Sequence, residues 1–207
     1  DNRGRERVAP LFLGDATGER RANLAEGPRA RFCRAHPEAT PRDVLHCLYA
    51  IAHAPAYRRR YQAELRAGPP RFPPPRNQAL FVDLAALGRD LVRLHLRPFD
   101  AAPLRPGDAA LRATSKPSSQ RRARLRGEHL EVAASRIWLG PRSEDLWRFE
   151  IGGQAVLKRW LKDHLEAARQ PRAEALEKLD QLLGAVARSL DLSERVAARI
   201  AEAGGWP

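Results

Sequence analysis

The stretch Thr40–Pro75, TPRDVLHCLYAIAHAPAYRRRYQAELRAGPPRFPPP, decides the reading of the chain. Thr40 is a good helix N-cap, and Pro41 suits the first helical position, where the missing N–H costs nothing. Val44, Leu45, Leu48, Ile51 and Ala52 then fall on one face of a 3.6-residue period. Ala54 precedes a proline and is pushed out of the helical region, so the first helix ends there and Pro55 opens a second. In that second helix Tyr57, Tyr61 and Leu65 stand one above the other, while Arg59 and Arg66 point away from them, flanked by Arg58 and Gln62. The spacing predicts an aromatic inner face and a basic outer face. Pro69, Pro70, Arg71, Phe72 and the prolines that follow are confined to extended backbone.

The flanks give a mixed pattern. Val8–Leu13 reads as a short edge strand, Gly14–Glu26 as a turn-rich connection, and Pro28–His36 as a short helix or irregular chain. Asn77 is placed to cap a helix whose core face is Leu80, Phe81, Leu84, Leu87, Leu91 and Leu94. Gly88 inside it implies close approach of another backbone. Residues 97–120 are loop-like. His129–Ala133 and Arg136–Leu139 read as strands, and Gly140-Pro141 turns the chain. Leu146–Ile151 alternates Trp147, Phe149 and Ile151 against Arg148 and Glu150, which predicts another strand, broken by Gly152-Gly153 before a helix over Gln154–Leu165. Pro171 opens a helix with Leu176, Leu179, Leu183, Val186 and Leu190 at 3-4 spacing, and Asp191 or Ser193 is placed to cap a last helix carrying Val196 and Ile200. The stripe is too short for a coiled coil and is expected to pack on its own domain. Trp138, Trp147 and Trp160 are expected in the core. The fold class is α+β: a small mixed or antiparallel sheet, packed helices and a C-terminal helical part, with an expected division at residues 1–153 and 154–207.

Composition narrows the function. The net charge is +12, and it is uneven: residues 1–126 hold 25 Lys and Arg against 12 Asp and Glu, whereas residues 127–207 hold 12 against 13. A polyanion-binding N-terminal part follows, although an arginine-rich composition can also be only compositional. There is no methionine, which suggests a piece of a longer polypeptide. No apolar run is long enough to cross a membrane and no signal peptide opens the chain. The two cysteines, Cys33 and Cys47, make neither a disulfide framework nor a zinc site, so a reducing cytoplasm is the expected compartment. Glycine-rich phosphate loops, HExxH, GxSxG and paired CxxC are absent, as is the Asn-Pro-Pro-aromatic or Asp-Pro-Pro-aromatic tetrapeptide of amino-methyltransferases. No catalytic residue is assigned. His46 and His53, seven residues apart on what reads as the solvent face, are about 10 Å apart along a helix axis and cannot share one metal ion.

The string LYAIAHAPAYRRRYQAEL followed by PPRFPPP resembles the C-terminal specificity domain of type ISP restriction–modification enzymes and related adenine DNA methyltransferases. Leu80–Leu96, LFVDLAALGRDLVRLHL, and Leu146–Leu161, LWRFEIGGQAVLKRWL, resemble the same family, in the family's order. Cys47 and Gln154 stand where the family usually has tyrosine, and Phe72 and Pro74 where it has aliphatic residues. The resemblance implies a module that binds duplex DNA and recognises a target. It also implies a linked or associated methyltransferase domain that holds S-adenosylmethionine, with no cofactor in this chain. The residues expected at DNA are Arg58, Arg59, Arg66, Arg71 and Arg76, then Arg112, Lys116, Ser119, Gln120, Arg121, Arg122, Arg124 and Arg126, the last group drawn from a basic run without an acid. Lys and Arg would hold phosphates and a few polar side chains would reach base edges. Tyr57 and Tyr61 read as core, with base stacking as the alternative; Arg58–Arg60 read equally as a solvated face or a DNA contact. A phosphate at the helix start after Gly152-Gly153 is a further possibility. Two other classes stay open: a helical protein-interaction module, and a catalytic fragment with an unrecognised site.

Overall fold

The computed structural model describes residues 10–24, 27, 36–68, 70–101, 122–132, 135–165 and 173–205. The order of elements is β1 (Phe12–Gly14), β2 (Arg20–Ala22), α1 (Pro41–His53), α2 (Pro55–Arg60), α3 (Gln62–Ala67), α4 (Gln78–Leu96), a 3-10 turn (Pro98–Asp100), β3 (Arg124–Arg126), β4 (His129–Val132), β5 (Ser135–Trp138), α5 (Ser143–Arg148), β6 (Glu150–Ile151), β7 (Gln154–Ala155), α6 (Val156–His164) and α7 (Ala173–Glu202). The chain is α+β, with antiparallel sheets of order β1-β2, β3-β4-β5 and β6-β7 among the described residues. It divides into two compact units, residues 1–92 with 192–207, and residues 93–191. The boundaries fall inside α4 and α7, so the C-terminal helical part is shared between the units. Among the described residues no helix is long and apolar enough to cross a membrane.

The first unit is built on helices. Thr40 caps α1 as expected, and the cap is reciprocal: its hydroxyl accepts from the Asp43 N–H at 3.2 Å, and the Asp43 carboxylate accepts from the Thr40 N–H at 3.1 Å. Ala54 is extended (φ −68°, ψ 120°) and separates α1 from α2. Asn77 accepts from the Leu80 N–H at 2.8 Å and so caps α4. The core joins Val44, Cys47 and Ile51 of α1, Tyr57 of α2, Leu80, Phe81, Leu84 and Leu87 of α4, and Val196 and Ile200 of α7. Burying each large aliphatic side chain contributes about 1.5–3 kcal/mol. The inward face of α1 is rotated from the one read from sequence: Cys47 and Ala50 are buried while Leu45 is 40% exposed. Gly88 does meet another backbone, since a β-carbon there would overlap the His46 carbonyl of α1.

The second unit joins a three-stranded sheet to helices. Its core takes Leu130, Val132, Ile137 and Leu139 from the sheet region, Leu146 from α5, Leu157, Trp160 and Leu161 from α6, and Leu179, Leu183 and Val186 from α7. The leucine stripe therefore packs on its own domain.

Several expected elements differ. Residues 14–26 include strand β2, which pairs Leu13 with Arg21. The second helix is two six-residue pieces, because Tyr61 (φ −106°, ψ 25°) interrupts it. Leu146–Ile151 is not a strand: residues 143–148 form α5. Glu144 and Asp145 stand at its positive end and Arg148 at its negative end, 3.0 Å from Glu144, and these charges outweigh the alternating pattern. Gly152-Gly153 is not a strand-to-helix corner but the two-residue turn of the β6–β7 hairpin, with φ of +58° and +77°, so the helix starts at Val156. No cap breaks the C-terminal helix at Asp191 or Ser193: α7 is continuous, Ser193 is buried, and Asp191 instead pairs with Arg142. Trp138 is 45% exposed rather than core. His53 is buried, with its ring tilted 40° against that of Tyr49 and the centroids 4.6 Å apart, so it is not on the solvent face. The expected edges at Val8 and Pro171, and the helix or irregular chain at residues 28–35, lie outside the described residues.

Candidate nucleic-acid interface

In the first unit the basic side chains are held by an aromatic hinge. Tyr57 is buried, and its ring lies 5.0 Å from Tyr61 and 5.5 Å from Phe72, the latter pair nearly parallel. Its hydroxyl donates to the Arg71 carbonyl at 2.8 Å. That bond ties the extended proline segment to α2, and Pro75 of the segment is buried. Residues 55–76 carry six arginines against one acid, Glu64. Arg58, Arg59, Arg60, Arg66, Arg71 and Arg76 are all exposed. Arg58 donates to the Ala52 carbonyl at 3.0 Å, and Arg60 lies 5.7 Å over the Tyr61 ring. Among the described residues no carboxylate forms an ion pair with Arg59, Arg66 or Arg71. Six guanidiniums in this arrangement suit a polyanion.

In the second unit the charge is laid out by strand register. The pairs Arg124–Glu131–Arg136 and Arg126–His129–Trp138 are cross-strand rows on one face, and Leu125–Leu130–Ile137 is the row on the other. Leu130 and Ile137 are buried, so the first two rows form the outer face. Arg122, Arg124, Arg126 and Arg136 are exposed on and beside it. Arg126 pairs with Glu131 at 3.2 Å, so the basic run does meet an acid, one supplied by the neighbouring strand. The Trp138 indole N–H donates to Glu128 at 2.8 Å. Ser143 donates to the Gly127 carbonyl at 3.1 Å and braces the β3–β4 turn, where Gly127 has φ +56°.

Sequence reasoning named Arg58, Arg59, Arg66, Arg71 and Arg76, which gather in the first unit, and Arg122, Arg124 and Arg126, which lie on the sheet. Arg112, Lys116, Ser119, Gln120 and Arg121 lie outside the described residues. It did not name Arg136, His129 or Trp138, which register brings onto the face of Arg124 and Arg126. The alternation in RLRGEHLEV was the available signal, once Gly127-Glu128 is read as a hairpin turn. The described residues contain no cluster of three or more His, Cys, Asp or Glu placed for a metal. Burial pushes the Cys47 thiol up to about 12, which removes it as a nucleophile.

The family model of the type ISP C-terminal specificity domain matches residues 1–187. The chain belongs to that family. Two solved structures share its fold. One is described as a cryoEM structure of a DrdV–DNA complex, with TM-score 0.65 and 21% identity over 91% of this chain. The other is the ATP-dependent type ISP restriction–modification enzyme LlaBIII bound to DNA, with TM-score 0.60 and 16% identity over 89% of this chain. The specificity domain spans only 21% and 13% of those two chains. No curated protein matches it.

Proposed function

We propose that this specificity domain binds duplex DNA and recognises its target sequence for a restriction–modification enzyme or adenine DNA methyltransferase, without catalysing a reaction itself. Membership of the specificity-domain family over residues 1–187 carries the reading. The exposed arginines support it: Arg58, Arg59, Arg66, Arg71 and Arg76 around the aromatic hinge, and Arg122, Arg124 and Arg126 on the sheet, hold phosphates and set register. Arg112, Lys116, Ser119, Gln120 and Arg121, which precede the second group in sequence, belong to the same proposal as further DNA contacts. Recognition belongs to residues 1–153, and residues 154–207 brace them or dock on the methyltransferase; α7 supports the bracing role by contributing to both cores. S-adenosylmethionine belongs to that linked methyltransferase domain, and the whole works in the cytoplasm.

The test is fluorescence anisotropy of this chain with labelled random-sequence duplex over a salt series. Affinity falls with salt, and log K is linear in log salt with a slope of about −0.9 per phosphate neutralised. Absence of binding, or binding indifferent to salt, overturns the reading.

A further inference from the structure

The outer face of the β3-β4-β5 sheet carries a feature that phosphate binding does not explain. Trp138 stands 45% exposed on strand β5, at one edge of the sheet order, amid arginines. An indole buried on folding supplies large apolar area, so a half-exposed one forgoes stabilisation. Nor is it loosely held. Its N–H donates to the Glu128 carboxylate at 2.8 Å. Gly140, at φ +82°, lies beneath the ring: a β-carbon there would stand 3.6 Å from Trp138 Cη2 and 3.7 Å from Cζ2. With the N–H engaged, what the ring offers a partner is apolar surface rather than a donor.

Its neighbours define the partner. Across the sheet Trp138 faces His129, which faces Arg126; two residues back along β5, on the same face, is Arg136, in line with Glu131 and Arg124. Counting Arg122 before β3 and Glu128 in the turn, four arginines stand against two glutamates. The face is therefore complementary to a polyanion, with one apolar ring within it. Three strands at about 4.8 Å spacing are about 10 Å across, close to the ~12 Å width of a B-DNA major groove. Apolar side chains in that groove read base edges, the thymine methyl among them, while arginine holds guanine or phosphate.

We propose that Trp138 is a specificity-determining residue, whose ring contacts base edges of the duplex while the arginines beside it hold the backbone. The proposal rests on the duplex-binding reading above and adds to it which surface reads sequence. Its signature differs from that of an arginine. Loss of a phosphate contact weakens binding to every sequence and flattens the salt dependence; loss of a base contact weakens the preferred site and leaves the slope unchanged.

The experiment selects preferred duplexes from a random pool with the wild-type chain, then measures affinity and salt slope for selected and random duplexes with wild type, Trp138→Ala, Trp138→Leu and Trp138→Phe. Thermal melts confirm that each variant is folded. The expected result is about a tenfold loss for Trp138→Ala on the selected duplex, the scale of one base contact. Random duplexes and the salt slope should be little changed, with Trp138→Phe retaining most of the affinity. Four outcomes overturn the proposal. Trp138→Ala and Trp138→Leu could both bind selected duplex as wild type does. The loss could be equal on selected and random duplexes, which marks a structural role. The salt slope could flatten, which marks displaced arginines. The wild type could bind duplex but select no preferred sequence. In the first three the proposed function survives whole; in the fourth duplex binding survives but target recognition by this chain falls with the proposal, and failure of the wild type to bind any duplex removes everything.

Discussion

The chain presents basic charge in two ways. Around α2 and α3 the arginines are long side chains on two short helices and an extended proline segment, with one acid among six cations. On the β3-β4-β5 sheet the arginines are fixed by register, Arg124 and Arg136 in one row and Arg126 in the next, with Glu131 beside them and an aromatic ring at the edge. The first arrangement maximises charge and leaves its direction open, which suits sequence-independent attraction. The second spends some charge on internal pairing and gains placement, which reading base edges requires. Net charge alone does not separate the two; acids held among the cations do.

The largest expected effect attacks the platform beneath the helical face. Gly88→Ala puts a methyl group into the His46 carbonyl, a backbone atom that cannot rotate away. Overpacking of this kind costs typically 1–3 kcal/mol, and the better helix propensity of alanine returns about 1 kcal/mol. A net loss of up to about 2 kcal/mol is expected in chemical denaturation, toward the upper end because the atom met is backbone. A Gly88→Ala chain as stable as wild type would mean that α1 and α4 can separate at no cost.

The next test compares the two faces directly. Replacing Arg58, Arg59 and Arg66 by Ala should weaken binding to all duplexes alike and make the salt slope shallower by roughly 2 to 3 units, if each guanidinium neutralises a phosphate. Replacing Arg122 and Arg124 should shift the slope by up to about 2 units. Both variants should fold, because exposed substitutions usually change stability by less than about 0.5 kcal/mol. Equal loss on selected and random duplexes is expected for the helical triple. A selective loss there would transfer the reading role to α2 and α3.

A third difference is in pH response. His95, in the sheet-bearing unit, has its Nε2 2.9 Å from the Ser189 hydroxyl, which donates to the Ala185 carbonyl at 2.8 Å; the histidine therefore donates. Burial lowers its pKa to about 4 from the ordinary 6.5. Between those values the unfolded chain binds more protons than the folded one, so stability rises with pH across that window and is lost as pH falls from about 6.5 to 4. His95 is partly open to solvent, so the effect is expected at roughly 1–2 kcal/mol, below the full linkage value. His95→Gln should flatten the stability–pH curve in that window. An unchanged curve would assign the pH dependence elsewhere.

How much of this was legible in the sequence follows from range. Local chemistry was readable: the Thr40 cap, the Ala54-Pro55 break, the Asn77 cap and the Gly88 contact are set by neighbours in sequence or by a missing β-carbon. What failed depended on partners distant in sequence or on competing local signals. Leu146–Ile151 satisfies an alternating and a helical pattern at once, and the charges at both ends of α5 decide it. The size of Trp138 argues for burial; only the pairing of β5 with β4 sets it opposite His129 on the outer face. The arginines of α2 and α3 could be named one by one, but the sheet face could not, because Arg124 and Arg136 become neighbours only through β4.

The smallest effect tests the aromatic hinge that presents the helical arginines. Tyr57→Phe keeps the ring beside Tyr61 and Phe72 and removes only the hydroxyl that donates to the Arg71 carbonyl. That carbonyl belongs to an exposed residue and can recover a water partner, so the loss should be about 1 kcal/mol. The proline segment would then be less firmly tied to α2, and Arg71 and Arg76 would need ordering on binding. Duplex affinity should fall by about two- to threefold, since partial ordering of a side chain costs about the low end of the roughly 0.5–1.5 kcal/mol that full immobilisation costs. The same variant decides between the two readings of the tyrosines. Tyr57 is 1% exposed, which leaves no ring surface for a base. A Tyr57→Phe chain of wild-type stability but much weaker binding would place the hydroxyl at the DNA and refute the hinge. Lower stability with near-normal binding would leave Tyr57 as the support on which the arginines stand.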